Sequence, residues 1–294
     1  MSKLAAVHDA LHAPPSRPLA GQVAVVTGAS RGLGRAYAEA FASAGAAVAL
    51  VARGAADLDA VAAELSAAGG RVLPVAVDVT DADAVRRAAE QIVDALGPVD
   101  LLVNAAGIGM PMGPFASASI EQWWRTIEVN VKGPALWSRV LLPAMIARGR
   151  GRIVNLASIA GGRAIPNWSA YTTSKTALIR LSESLAIEGA GAGVRVFPIH
   201  PGTVRTPMTE EALQSDEARR LVPALAAIFD RGLDTPLDDS VAFVMRLALG
   251  EADALSGRFL TVQDDLASLA ELGGSAALGE SLTLRVVQPV TAGV

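Results

Sequence analysis

The chain has 294 residues, is 51% hydrophobic, 18% charged and 4% aromatic, and contains no cysteine. That composition excludes a disordered chain, a disulfide scaffold, a thiol nucleophile and a thiolate metal centre. With 25 basic against 29 acidic residues and a net charge of −4, it has no basic block able to neutralise a run of phosphates, so nucleic acid is not an expected partner.

In chain order, residues 1–17 read as an N-terminal extension, because Pro14, Pro15 and Pro18 stop regular structure from running into the first strand. They also lack the continuous apolar core of a secretory signal, and a cytoplasmic protein is expected. From there, short valine-rich runs at 23–27, 47–51, 72–77, 101–104, 153–157, 194–199 and 258–262 alternate with alanine-rich segments of helical period. Those segments cover 32–44, 57–68, 82–96, 120–147, 170–189 and 238–248. Runs that are apolar at nearly every position are strands buried on both faces, and the alternation is that of a parallel sheet wrapped by helices. The expected fold is therefore one α/β domain, 18–263, with a doubly wound, Rossmann-like, seven-stranded parallel sheet and helices on both faces. Residues 101–120 are uncharged over a bilayer's length, yet three glycines, two prolines and Asn104 exclude a transmembrane helix, and no membrane partner is expected. In the 120–147 helix, Ile120, Trp124, Ile127, Val131 and Ala135 step by 4, 3, 4 and 4, which predicts one buried stripe. Residues 264–294 read as a C-terminal extension.

The turn after the first strand is Thr27-Gly28-Ala29-Ser30-Arg31-Gly32-Leu33-Gly34 and leads into a helix. Three glycines there let the backbone pack closely and leave helix N-terminal N–H groups free for a pyrophosphate. The GxxxGxG spacing resembles that of the short-chain dehydrogenase/reductase family in its single-domain form. The resemblance spans about 19–264 and rests on motifs in matching order. Asn104-Ala105-Ala106-Gly107 stands where the family shows NNAG, followed by Asn130, Ser158, Tyr171 with Lys175, and Pro201-Gly202 with Thr206. Ala105 departs from the pattern, as do Asp264 and Asp265, where a glycine pair is usual.

A carboxylate at the end of the second strand would bind the ribose hydroxyls of NAD, but that strand ends Val51-Ala52-Arg53. Arg53, and Arg31 in the glycine loop, supply guanidinium forks suited to a 2′-phosphate, so NADP(H) is the expected cofactor. The resemblance implies cofactor contacts from Gly28, Ser30, Gly32, Leu33, Gly34, Asp78, Val79, Asn104, Ala106, Gly107, Tyr171, Lys175, Pro201, Gly202, Val204 and Thr206. Within that set Asp78 meets the adenine amine, and the loop with Thr206 fixes the nicotinamide carboxamide. An aspartate at the position of Asp78 also reads as a helix cap.

Tyr171 and Lys175 are four apart and share one helix face. An ammonium about 5 Å away at an effective dielectric of about 20 favours a phenolate by roughly 3 kcal/mol, or about two pKa units. The resemblance makes Tyr171 the general acid and base, with Lys175 lowering its pKa and contacting the nicotinamide ribose. It makes Ser158 the hydroxyl that holds the substrate oxygen and Asn130 the support of a water in the proton relay. Asn130 needs a reason in any case, being a poor helix former inside an apolar stripe. His200 reads as a satisfied strand-end histidine rather than a base, and His8 with His12, lacking a third ligand, as no metal site.

Loops after the fourth, fifth and sixth strands contribute Met110, Met112, Phe115, Ile165, Trp168, Met208 and Phe229, a wall suited to an apolar or cyclic ketone. Ile165, Trp168 and Met208, with Ser158, are the expected substrate contacts, while Arg163 and Arg205 offer a carboxylate site instead. The implied activity is hydride transfer between NADP(H) and a secondary alcohol or its ketone. By the same resemblance the protein is a homotetramer or homodimer, paired through the helices 120–147 and 170–189. The other class is a dinucleotide-binding regulator or assembly subunit without turnover; the intact Asn130, Ser158, Tyr171 and Lys175 favour the enzyme.

Overall fold

The computed structural model describes residues 17–272 and 278–285. Its strands are β1 (Val23–Thr27), β2 (Ala47–Ala52), β3 (Arg71–Ala76), β4 (Leu101–Asn104), β5 (Gly151–Leu156), β6 (Val194–His200) and β7 (Leu260–Thr261). All pair in parallel, in the order β3-β2-β1-β4-β5-β6-β7. Successive side chains of a strand point to opposite faces, and here both faces are apolar. Val26, Leu50, Val103, Val154 and Phe197 enter one core; Val25, Ala49, Leu102, Ile153 and Val196 enter the other.

The first core is closed by α1 (Gly32–Ser43) and α10 (Leu237–Ala248), through Tyr37, Phe41, Phe243 and Leu247, and the buried Tyr37 hydroxyl meets Ser240 Oγ at 2.8 Å. The second is closed by α3 (Ala82–Leu96) and α5 (Gly133–Arg148), through Val85, Ile92, Trp137, Leu141 and Met145. Strand order reverses between β1 and β4, so a crevice opens at their carboxyl ends. The remaining helices are α2 (Ala55–Ala67), α4 (Ile120–Ile127), α6 (Ser169–Gly189), α7 (Pro207–Gln214), α8 (Asp216–Leu221), α9 (Pro223–Asp230) and α11 (Leu266–Leu272).

Three sequence expectations need correction. The 120–147 helix is not continuous: a π turn at Glu128–Lys132 separates α4 from α5. Such a turn inserts residues into the 3.6 repeat and rotates the phase. The buried line therefore runs through Thr126, Val129, Asn130, Gly133, Pro134 and Trp137, while of the predicted stripe Ile120 and Trp124 are 48% and 56% exposed and Ile127, Val131 and Ala135 only half-buried. The last strand is Leu260–Thr261 rather than 258–262. Finally, α7, α8 and α9 fill the connection from β6 to α10, where no helix was expected.

Except for Arg17, the N-terminal extension lies outside the described residues, and so do His8 and His12. The described parts of 264–294 pack on the core: Leu266 and Leu278 are buried, and Phe259 N–H donates to Leu282 O at 2.7 Å. Leu284 N–H donates to the buried carboxylate of Glu183 at 2.8 Å, and Arg180 and Arg285 both pair with that carboxylate. Among the described residues no helix is long and apolar enough to cross a membrane, and no cluster of His, Asp and Glu could hold a metal ion.

Candidate active site

Glycine chemistry shapes the first end of the crevice. Gly28 turns out of β1 at φ +70°, and a Cβ there would stand 2.9 Å from the Ala106 backbone. A Cβ on Gly34 would stand 2.4 Å from Gly28 O, so the first turn of α1 can lie against the loop only without side chains. The free N–H groups at the start of α1 open into a cleft of about 890 Å³. Gly28, Ser30, Arg31, Gly32, Leu33 and Gly34 line it, as do Arg53, Asp78, Val79, Ala106 and Gly107. Arg31 and Arg53 are exposed on its rim, and neither guanidinium has an ion-pair or hydrogen-bond partner among the described residues.

Asp78 is more tied than an adenine contact requires. Its Oδ1 accepts the Thr80 N–H at 2.9 Å and hydroxyl at 2.8 Å, and its Oδ2 accepts Arg125 Nη2–H at 2.6 Å. Partial burial alone would raise its pKa, but those donors outweigh burial and hold it below the usual carboxylate value. Arg125 also lines the cleft and sequence reasoning missed it; an arginine directly after the Trp123-Trp124 pair is the one local sign of it. Asn104 alone of the expected cofactor residues does not line the cleft. It is buried behind it, donating to Asn155 Oδ1 at 2.8 Å, and Asn155 donates in turn to Ser182 Oγ at 2.8 Å, which ties β4, β5 and α6 together.

The π turn delivers Asn130 to the far end. Its Oδ1 accepts Ile108 N–H and its Nδ2 donates to Ile108 O and Ser174 Oγ, all at 2.9 Å, so a fully buried amide is satisfied while it clamps the loop after β4. A Cβ on Gly107 would lie 3.3 Å from Asn130 Oδ1 and 3.8 Å from Lys175 Nζ, so both groups stand close to that glycine of the cleft wall, with Asn130 behind it.

Ser158, Tyr171 and Lys175 all line this end. Burial raises the phenol pKa of Tyr171, and the hydrogen bond from Ser158 opposes it. Lys175 Nζ lies 5.4 Å from the ring centroid and donates to Leu156 O at 2.6 Å, and burial pushes its pKa down to about 8. Burial thus outweighs the Ser158 hydrogen bond at the phenol, and the expected two-unit drop in the tyrosine pKa is not met. The phenol keeps its proton at neutral pH.

Trp168 stacks on the Tyr171 ring, with centroids 4.4 Å apart and planes at 15°, and its indole N–H donates to Gly109 O at 2.5 Å. Pro201, Gly202, Val204 and Thr206 follow β6 and line the cleft, with Thr206 also capping α7 through reciprocal bonds with Thr209. Ile165 and Met208 complete the wall with Met110, Met112, Leu225 and Ile228. Phe115 and Phe229 do not join it: Phe115 sits edge-on to Trp123 at 6.2 Å, and Phe229 is buried with the Arg205 guanidinium 4.9 Å above its ring. Arg205 is paired with Glu210 and Asp234, which removes it as a carboxylate site, whereas Arg163 lines the cleft without a partner among the described residues. His200 also differs from expectation, since its buried side chain has no hydrogen-bond partner among the described residues.

Comparison with known proteins returns one family. The family model described as short chain dehydrogenase matches residues 22–217. A short chain dehydrogenase of Pseudocercospora fijiensis is 36% identical over 262 residues, covering 86% of this chain and 84% of the relative. A solved structure assigned as an NAD(P) dependent gluconate 5-dehydrogenase of Beutenbergia cavernae, with NADP bound at low occupancy, is 36% identical at a TM-score of 0.75. The match covers 88% of this chain and all, 100%, of the other. An actinorhodin polyketide ketoreductase solved with NADPH is 29% identical at a TM-score of 0.75, covering 84% of this chain and 97% of the other.

Proposed function

Because the chain belongs to the short-chain dehydrogenase/reductase family, we propose that it is an NADP(H)-dependent oxidoreductase interconverting a secondary alcohol and its apolar or cyclic ketone in the cytoplasm. One observation carries this reading. Ser158, Tyr171 and Lys175 converge on one end of a cleft whose other end is a glycine cradle with two unpartnered guanidiniums.

The cradle fits a dinucleotide, since its glycines let the loop pack on Ala106 and on the first turn of α1, and the free N–H groups at the start of that helix open into the cleft where a pyrophosphate would lie. In this reading Gly28, Ser30, Gly32, Leu33 and Gly34 hold the pyrophosphate and Arg31 with Arg53 the 2′-phosphate. Asp78 and Val79 flank the adenine. Ala106, Gly107, Pro201, Gly202, Val204 and Thr206 border the nicotinamide half. When bound, the nicotinamide supplies or accepts the hydride. Ser158 donates a hydrogen bond to the substrate oxygen. The protonated phenol of Tyr171 gives its proton to that oxygen in reduction and takes one back in oxidation. Lys175 holds the nicotinamide ribose and stabilises the phenolate left after proton transfer. Asn130 keeps the loop after β4 in place beneath them, and Ile165, Trp168 and Met208 enclose the carbon skeleton.

The test is a panel of ketones assayed by NADPH absorbance, repeated with NADH. Turnover favouring NADPH on apolar or cyclic members supports the reading. Tight NADPH binding with no turnover anywhere on the panel would support a non-catalytic regulator instead. The exposed Ile120 and Trp124 support pairing of copies through α4, α5 and α6 into a homodimer or homotetramer. Light scattering at micromolar concentration that gives the single-chain 30.0 kDa would reject it.

A further inference from the structure

His200 ends β6 immediately before the Pro201-Gly202 turn and is 7% exposed. Strand alternation fixes its side. Val194 and Val196 enter the core that includes Ala186 of α6, Phe197 and Ile199 enter the opposite one, and His200 falls with the former. One residue before it, Ile199 pairs with Leu156, whose carbonyl holds Lys175 Nζ. His200 lines the cleft together with Ser158, Lys175, Pro201 and Gly202. Its backbone oxygen accepts Val262 N–H at 3.1 Å, yet its imidazole makes no hydrogen bond among the described residues, and none to Tyr171 or Ser158.

The ring nitrogens are not sealed in the core: the side chain is almost wholly withdrawn from water, yet it meets the cleft with no protein partner, where an aliphatic side chain would fill the same place without offering a polar group. Burial also pushes the pKa of this histidine down to about 4, so the ring is neutral at pH 7 and presents one N–H donor and one lone-pair acceptor. Groups that satisfy both at once are hydroxyls and primary amides, the chemistry of a ribose and a carboxamide. Resting on the NADP(H) reading above, we propose that His200 is a binding residue for the nicotinamide-riboside half of the dinucleotide, reached from the sheet side of the cleft. It is not a second base, because nothing connects it to the phenol or the serine.

Calorimetric titration separates the halves. NADP⁺ carries the nicotinamide riboside and 2′,5′-ADP lacks it. Replacing His200→Leu should weaken NADP⁺ about 3- to 12-fold, the worth of one neutral hydrogen bond, and leave 2′,5′-ADP within about two-fold. The thermal midpoint of the ligand-free protein should not fall, because the imidazole makes no hydrogen bond to the described residues that the change would remove. His200→Asn, which keeps a donor and an acceptor, should recover part of the loss. Unchanged NADP⁺ affinity, or equal weakening of both ligands, would overturn the proposal. If the leucine variant does not fold, His200→Ala, which only removes atoms, carries the same two titrations. Wild-type protein binding 5′-AMP as tightly as 2′,5′-ADP would break the NADP(H) reading alone, and the comparison would then be run with NAD⁺ against 5′-AMP.

Discussion

At the glycine-loop end of the cleft the backbone makes the site, whereas at the tyrosine end buried side chains make it. The first end needs residues with nothing to offer but space: Gly28 and Gly34 work because no Cβ intervenes, and the guanidiniums at its rim are exposed to water. The second end needs groups taken out of water and held by neighbours, as Asn130 is by Ile108 and Ser174, and the Tyr171 ring by Trp168. Desolvation is therefore the ruling cause of the pKa shifts of Tyr171, Lys175 and His200 at the tyrosine end, while at the other end the donors around Asp78 overcome it. Variants at the two ends should accordingly separate affinity from turnover and charge from burial.

The largest expected effect lies at the tyrosine end. Tyr171→Phe should lower kcat by about 10²–10⁴-fold while NADPH affinity stays within a few-fold, because proton transfer is lost and the dinucleotide contacts are not. An affinity loss as deep as the loss in kcat, read by titration, would dissolve the division between the ends.

Next in size is a pH effect on stability. His200 has a folded pKa of about 4 against an ordinary 6.5, so between those values the unfolded chain binds the proton more tightly. Stability of the ligand-free protein, full above pH 6.5, should fall with pH through this window by about 3 kcal/mol. Denaturant midpoints measured across pH 7 to 4 should show this slope from His200 in wild type and lack its contribution in His200→Leu.

At the other end, Arg53→Ala should cost about 1.5–3 kcal/mol of NADPH binding, roughly 10- to 150-fold, and leave NADH nearly unchanged. Because the contact is exposed, both titrations belong at one salt concentration. Equal effects on the two cofactors would mean that the rim charges do not read the 2′-phosphate. Smallest is Gly34→Ala, whose new methyl 2.4 Å from Gly28 O forces a backbone shift worth about 1–3 kcal/mol of stability. A variant of wild-type stability would show that the loop is not close-packed.

The same contrast explains what could be read in advance. The seven strands, their parallel pairing, the glycine loop and the Tyr171–Lys175 pair were legible because each is a local pattern of spacing. The partner that fixes Asp78 stands 47 residues away on α4, and no local pattern joins them. The π turn was invisible for a related reason: periodicity extends a phase through Asn130, while the amide of Asn130 and its two anchors on Ile108 break it. Phase then misassigned Ile120 and Trp124 to the interior. Helices α7 to α9 are short, and their apolar positions became readable only with the cleft they cover, lined by Ala212, Val222, Leu225 and Ile228. Arg205, offered as an anion site, was claimed instead by Glu210 and Asp234, an outcome that its isolated charge could not announce.

Glu183 bears on where this protein can be cut or fused. Its carboxylate is buried on α6, the helix that carries Tyr171 and Lys175, and it is neutralised partly from far along the chain by the Leu284 N–H and Arg285. A chain ended before Leu278 would leave that anion under cover with Arg180 as its remaining ion-pair partner, and would also strip Leu278 from the apolar interior. What looks in one dimension like disposable length is, in three, the counter-charge for the helix of Tyr171 and Lys175, and tags or fusions belong on the far side of Arg285.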